Sequence, residues 1–212
     1  VDQITKWYYV LTVISTGLFD IPAFKNVICN GLILSETGEK FSKRLNNFIP
    51  PIQVCNDIGA DALRLYFIGS PASHGGSFTF DQSKIHEINL KYYQWLNGVK
   101  FFIEHHTKYL KDGNNFKLDD YLESYNIIDN WILSRLGEII ININSSMNKY
   151  YIYKVKSELH EFIEDLTNWY IKFNRNRLRG RYCDANEQGK ALSILYRVLL
   201  MFSKIAAPFA PY

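Results

Sequence analysis

Apolar residues along most of this chain recur at steps of three and four, the spacing that places them on one helix face. Trp7, Val10, Leu11, Ile14 and Leu18 form such a stripe between Lys6 and Leu18, and Pro22 follows soon after it. The pattern then changes. From Phe24 to Leu34 the residues Val27, Ile28, Leu32, Ile33 and Leu34 make a short apolar run around Gly31, which predicts a strand buried on both faces of a parallel sheet. Glu36 to Glu39 make a polar turn, and Pro50-Pro51 place a proline at the first turn of a helix predicted over 52–67, ended by Ser70-Pro71 and Gly75-Gly76. Four longer amphipathic helices follow. The first, over 84–110, uses Ile85, Ile88, Tyr92, Trp95, Leu96, Val99, Phe102 and Ile103. The second, over 127–150, uses Trp131, Ile132, Leu136, Ile139, Ile140, Ile143 and Met147; its isoleucines leave some strand character, but length and the lack of turn signals favour helix. The third, over 154–179, uses Val155, Leu159, Phe162, Ile163, Leu166, Trp169, Tyr170 and Phe173, with Gly180 as its stop. The fourth, over 187–207, uses Ile194, Leu195, Val198, Leu199, Phe202 and Ile205 before Pro208. Helices joined by short connections predict a bundle.

Composition narrows the class. At 212 residues, with 47% hydrophobic and 16% aromatic residues, the chain can bury a substantial core, which excludes an intrinsically disordered segment. Its apolar runs are interrupted well short of the roughly 20 residues that a membrane span needs, and no leader pattern opens it. Cys29, Cys55 and Cys183 are far apart and odd in number, so reduced thiols in a cytosolic setting are expected, with no zinc site and no other metal site. The net charge is +3, and the excess lies entirely after residue 84. Such an excess bears on partners only where it clusters, because counterion release rewards grouped Lys and Arg.

The candidate chemistry lies in two segments. Lys40-Phe41-Ser42-Lys43-Arg44, on a loop opened by Gly38, puts three cations and a hydroxyl where they could grip a polyphosphate. Alone, a K-x-S-K pattern reads first as a solvated basic hairpin loop, and only its context reverses that reading. Fifteen residues after Arg44, Gly59-Ala60-Asp61-Ala62-Leu63-Arg64-Leu65-Tyr66 opens a packed helix. Together, in this order, the two resemble the signature loop (KMSKS in its usual form) and following helix of class I aminoacyl-tRNA synthetases.

Further segments resemble the isoleucyl branch of that family in its eukaryotic cytoplasmic form. Asp2-Gln3 followed by Trp7-Tyr8-Tyr9 is similar to the family's D-Q-x-R-G-W-F-Y, although Ile4, Thr5 and Lys6 depart from it. Leu166 to Gly180, with Asn168-Trp169-Tyr170-Ile171-Lys172, resembles L-x-N-W-Y-I-R-x-N-R-R-R, and Ala207-Pro208-Phe209-Ala210-Pro211-Tyr212 resembles A-P-F-x-P-F, read as a turn that ends the bundle. Phe41 stands in place of the usual Met, and Arg44 in place of the final Ser agrees with the eukaryotic branch. The valyl, leucyl and methionyl relatives share the loop and the helix after it but lack the other two combinations.

The resemblance implies a mainly α chain: the end of a Rossmann-like α/β nucleotide-binding fold in residues 1–50, a connecting stem-contact segment in 51–83, and an anticodon-binding helical bundle in 84–212. It implies a cytoplasmic ligase that activates isoleucine with ATP, accompanied by Mg2+, and transfers it to tRNA. Lys40, Ser42 and Lys43 would be catalytic; Asp2, Gln3, Lys43 and Arg44 would bind the nucleotide; Trp7 would wall the amino-acid pocket. Lys172, Arg175 and Arg179 share a helix face, with Arg177 beside them, and this cationic stripe is the candidate for tRNA contact. Cations at a helix C-terminus also complement its dipole, so both readings stand at this stage. No H-x-G-H segment occurs, so the chain is expected to be part of a longer enzyme and unable to form an adenylate by itself. His74, His86, His105, His106 and His160 suggest no site, and no nucleophile has a recognisable base, in keeping with a reaction in which the substrate carboxylate attacks ATP and the protein supplies position and charge. A non-catalytic tRNA-binding or assembly module descended from such an enzyme is the alternative; membership of a larger synthetase assembly is left open.

Overall fold

A computed structural model describes residues 4–42, 44, 45, 47, 49–115 and 126–212. Helix α1 (Tyr9–Phe19) is entered through one π-helical stretch at Ile4–Tyr8. A two-stranded parallel sheet follows, with β1 (Ile33–Leu34) against β2 (Phe78–Thr79), in the register Ile33 to Phe78 and Leu34 to Thr79. Between the strands lie α2 (Pro51–Asp57) and α3 (Ala60–Ile68). The predicted single helix is thus two, because Gly59 takes φ +123°, a backbone state that no continuous helix contains. The Ile58 carbonyl left over at the break accepts from Asn89 Nδ2 at 2.9 Å.

The bundle consists of α4 (Gln82–Lys111), α5 (Ile127–Asn148), α6 (Val155–Glu164), α7 (Lys172–Leu178) and α8 (Ala185–Ala206). Three of them start at side-chain caps: Asp81 accepts from Ser83 N, Asn126 from Ile128 N and Asp184 from Glu187 N. One buried cluster runs from Val54 through to Ala210, so the connecting segment and the bundle share a core. Ile85, Ile132, Val155, Leu166, Tyr170, Leu192, Leu195 and Val198 are fully shielded within it. Ile103 and Met147, expected on core faces, are exposed.

Two expectations fail for instructive reasons. The apolar run over 24–34 yields only two strand residues, both half-buried, and Val27 and Ile28 face solvent together with Val10, Leu11, Ile14 and Leu18. No described residue before Ser35 is buried. In the helix predicted over 154–179, the stretch Asp165–Ile171 is a π-helix between α6 and α7. One extra residue in a turn rotates everything after it by about 100°. Leu166, Tyr170, Ile171, Asn174 and Leu178 therefore meet the core, while Trp169 and Phe173, read as core residues from α-helical spacing, point out.

Candidate active-site loop and nucleic-acid interface

The cationic loop is built on a tight hairpin. Gly38 takes φ +81° and donates to Ser35 O at 2.8 Å; Ser35 N donates to Glu39 O at 2.8 Å; Leu34 and Lys40 form an antiparallel bridge. Ser35 is buried, and its hydroxyl accepts from Glu39 N at 3.2 Å and shares a 2.8 Å hydrogen bond with Thr37 Oγ1. Beyond the bridge Asn47 pins both sides of the loop: its Oδ1 accepts from Ser42 N at 2.8 Å and its Nδ2 donates to Lys40 O at 3.3 Å. Phe41 sits edge-on to Phe80, with centroids 6.2 Å apart, in an apolar recess shared with Ile33, Ile49, Val54 and Leu63. Phe41 also borders a cleft of about 250 Å³ lined by Ser35, Glu36, Thr37 and Asn47, and Lys40, its neighbour in sequence, is exposed. Arg44 is exposed as well. Lys43, Asp2 and Gln3 lie outside the described residues. Trp7 is 65% exposed and is not a core residue.

Helix α3 ties this loop to the far end of the bundle. Asp61 accepts from Tyr212 N through both carboxylate oxygens, at 3.2 and 3.1 Å, while Arg64 donates to Phe209 O and Pro208 O, both at 3.1 Å. The Gly-Ala-Asp-Ala-Leu-Arg segment thus holds the Ala-Pro-Phe-Ala-Pro-Tyr tail. Two motifs that the sequence analysis treated separately form one contact.

The π-helix and α7 carry the cationic stripe. Lys172 and Arg175 are exposed, and no ion pair among the described residues involves them. Two of the carboxylates upstream on the same helix are occupied elsewhere: Glu164 pairs with Lys91, and Asp165 with Arg135 at 2.8 Å. Arg179 is half-buried with its guanidinium 5.8 Å from the Phe101 ring centroid. Arg177 is different. Its Nη1 donates to both oxygens of the fully buried Asp129, at 2.9 and 2.7 Å, and its Nε donates to Glu187 at 2.8 Å. The Tyr170 hydroxyl donates to the same Asp129 at 2.9 Å, and burial followed by the Asp129 charge pushes that phenol far above its usual range. Burial alone would lower the Arg177 guanidinium, but Asp129 and Glu187 raise it on balance. Arg177 is therefore held by an internal network, unlike the exposed Lys172 and Arg175. The signal was available: Tyr170 and Arg177 are seven residues apart, two turns along one face. Asn47 and Phe80 carried no such signal, because their roles arise only when distant segments meet.

Comparison with known proteins matches both halves. A family model described as tRNA synthetases class I (I, L, M and V) fits residues 1–79, and one described as anticodon-binding domain of tRNA ligase fits residues 129–212. The whole chain aligns with the cytoplasmic isoleucine–tRNA ligases of Caenorhabditis elegans, at 39% identity, and Saccharomyces cerevisiae, at 40%, covering 19% and 20% of those proteins. The isoleucine–tRNA ligase of Bdellovibrio bacteriovorus is 41% identical over the full chain and 20% of its own length. The chain belongs to the class I tRNA synthetases. It spans about a fifth of the length of these relatives. Two solved class I synthetases share its fold: the Agrobacterium radiobacter LeuRS–tRNA–LeuAMS ternary complex (TM-score 0.62, 17% identity, 96% of this chain and 24% of that one), and Mycobacterium tuberculosis methionyl-tRNA synthetase with methionyl-adenylate (TM-score 0.66, 18% identity, 84% and 35%). Among the described residues no helix is long and apolar enough to cross a membrane. Among the described residues no group of three His, Cys, Asp or Glu is placed to hold a metal.

Proposed function

We propose that this chain is the signature-loop and anticodon-binding portion of a cytoplasmic isoleucine–tRNA ligase, in which it helps to activate isoleucine with ATP and docks the isoleucine-accepting tRNA. The observation that carries the reading is the pinned hairpin from Ser35 to Asn47, seated through Phe41 on a core that continues into the bundle, in a chain about 40% identical throughout to isoleucine–tRNA ligases. On this reading Lys40 and Lys43, with Arg44, place positive charge against the ATP phosphates and their Mg2+ as adenylyl transfer spreads negative charge over the α-phosphate and the leaving pyrophosphate. Ser42 and Gly38 shape the loop. Asp2 and Gln3 hold the ribose, and Trp7 lines the amino-acid pocket, its exposed ring being covered by the remainder of the enzyme. Lys172, Arg175 and Arg179 lie along the tRNA backbone, and Arg177 keeps their helix in place.

Isoleucine-dependent exchange of pyrophosphate into ATP tests this directly. The 212-residue chain alone gives no exchange, and Lys43→Ala in the complete protein lowers the rate about 100-fold, the scale of losing one charge-stabilising donor. An undiminished rate removes Lys43 from the mechanism; exchange by the isolated chain overturns the division of the site.

A further inference from the structure

The π turn at Asp165–Ile171 does more than shift a register. It places Trp169, 55% exposed, in a stack with Phe173, 61% exposed, with centroids 5.7 Å apart and planes 30° from parallel. Between them in sequence stands Lys172, and Arg175 follows; both are exposed. The opposite side of the same helix buries Leu166, Tyr170, Ile171, Asn174 and Leu178, so the outer face is not spare core. Two large apolar rings held in solvent oppose the hydrophobic effect and call for an occupant. The charge beside them says which: neither cation is paired within the described residues, and the nearby carboxylates of Glu164 and Asp165 are already neutralised by Lys91 and Arg135. A polyanion with exposed aromatic faces satisfies both halves of the patch, and RNA carrying unpaired bases is that partner.

We infer that Trp169 and Phe173 form a stacking platform for an unpaired base of the bound tRNA, with Lys172 and Arg175 holding the phosphates on either side of it. The inference rests on the tRNA-docking reading above and sharpens it from a charged stripe to a site that distinguishes unpaired from paired RNA. Tyr170, between the two rings in sequence, is locked to buried Asp129, which fixes the angle at which the platform is presented. The rings are thus set before RNA arrives, and little ordering is required on binding.

The test is binding of an isoleucine tRNA transcript to the 212-residue chain across a series of salt concentrations, with a fully paired RNA duplex as the control. Trp169→Ala and Phe173→Ala are each expected to weaken tRNA binding by roughly 5- to 100-fold with the salt slope unchanged, and to leave duplex binding as it was. Trp169→Tyr should restore most of the affinity. Lys172→Ala should weaken both RNAs and reduce the salt slope by about one unit. If the aromatic variants bind tRNA as the parent does while Lys172→Ala does not, the platform is wrong and the docking stripe stands; if all variants bind like the parent, both fail. A parent chain that dimerises at assay concentration, and loses this with Trp169→Ala, assigns the rings to a second copy and overturns the platform. Thermal midpoints of the variants, referred to Trp169→Tyr, separate a lost contact from a lost fold.

Discussion

The front of the chain, residues 4–34, and the bundle, residues 82–206, are written in the same language of apolar periodicity, yet they end in opposite states. Val10, Leu11, Ile14 and Leu18 are spaced like Ile194, Leu195, Val198 and Phe202; the first four lie in solvent and the second four in the core. Periodicity identifies a face that requires a partner. It does not say that the partner lies in the same stretch of chain. For the bundle the partners are the other helices, whereas α1 packs mainly on its own leading π turn, with Tyr8 against Phe24 at 5.4 Å as a local contact. The helices of the bundle bury one another, whereas no described residue before Ser35 is buried.

The comparison can be broken most severely at Asp129. Asp129→Ala removes the buried partner of the Tyr170 hydroxyl and of Arg177 Nη1, leaves Arg177 with Glu187, and should cost about 3 kcal/mol, a drop in thermal midpoint on the order of 10 °C. A midpoint within a degree or two of the parent would show that the bundle does not depend on this network. A smaller effect comes from acid. Burial lowers the His160 imidazole to about 4, assisted by Lys156 and Lys91 and opposed by Glu164. The folded chain therefore binds fewer protons here than the unfolded chain between about pH 6.5 and 4. The stability contributed by this site is complete above 6.5 and is lost as the pH falls toward 4. Denaturation midpoints across that window should show the loss, and His160→Leu, placed among Leu65, Ile88, Leu159 and Phe202, should lessen it. The smallest effect belongs to the front: Leu11→Ser with Ile14→Ser should change the stability of the isolated chain by no more than about 0.5 kcal/mol per site, as exposed substitutions do. A cost of several kcal/mol would mean that α1 is packed after all.

What the sequence made legible follows the same division. Three of the four long helices and most of their core positions could be read because local spacing and burial agree there. The loop from Gly38 to Arg44 could be read as a unit because its composition is unusual. The position of Trp169 could not, since a π turn leaves no composition behind it and a one-residue shift exchanges the faces. The strand expected from Phe24 was overextended because strand formation needs hydrogen-bonding neighbours, and Phe78–Thr79 pairs with Ile33–Leu34 and no further back toward Phe24. The Asp61 and Arg64 contacts with the tail join positions about 150 residues apart, which no local pattern encodes.

Amide hydrogen exchange, followed in the 212-residue chain alone and in the complete protein, tests the central claim most directly. The account predicts rapid exchange over Tyr9–Phe19 in the isolated chain, strong protection of that helix in the complete protein, and slow exchange through the cores of α4, α5 and α8 in both. Protection of Tyr9–Phe19 in the isolated chain, or its absence in the complete protein, would contradict a front face that the rest of the synthetase covers.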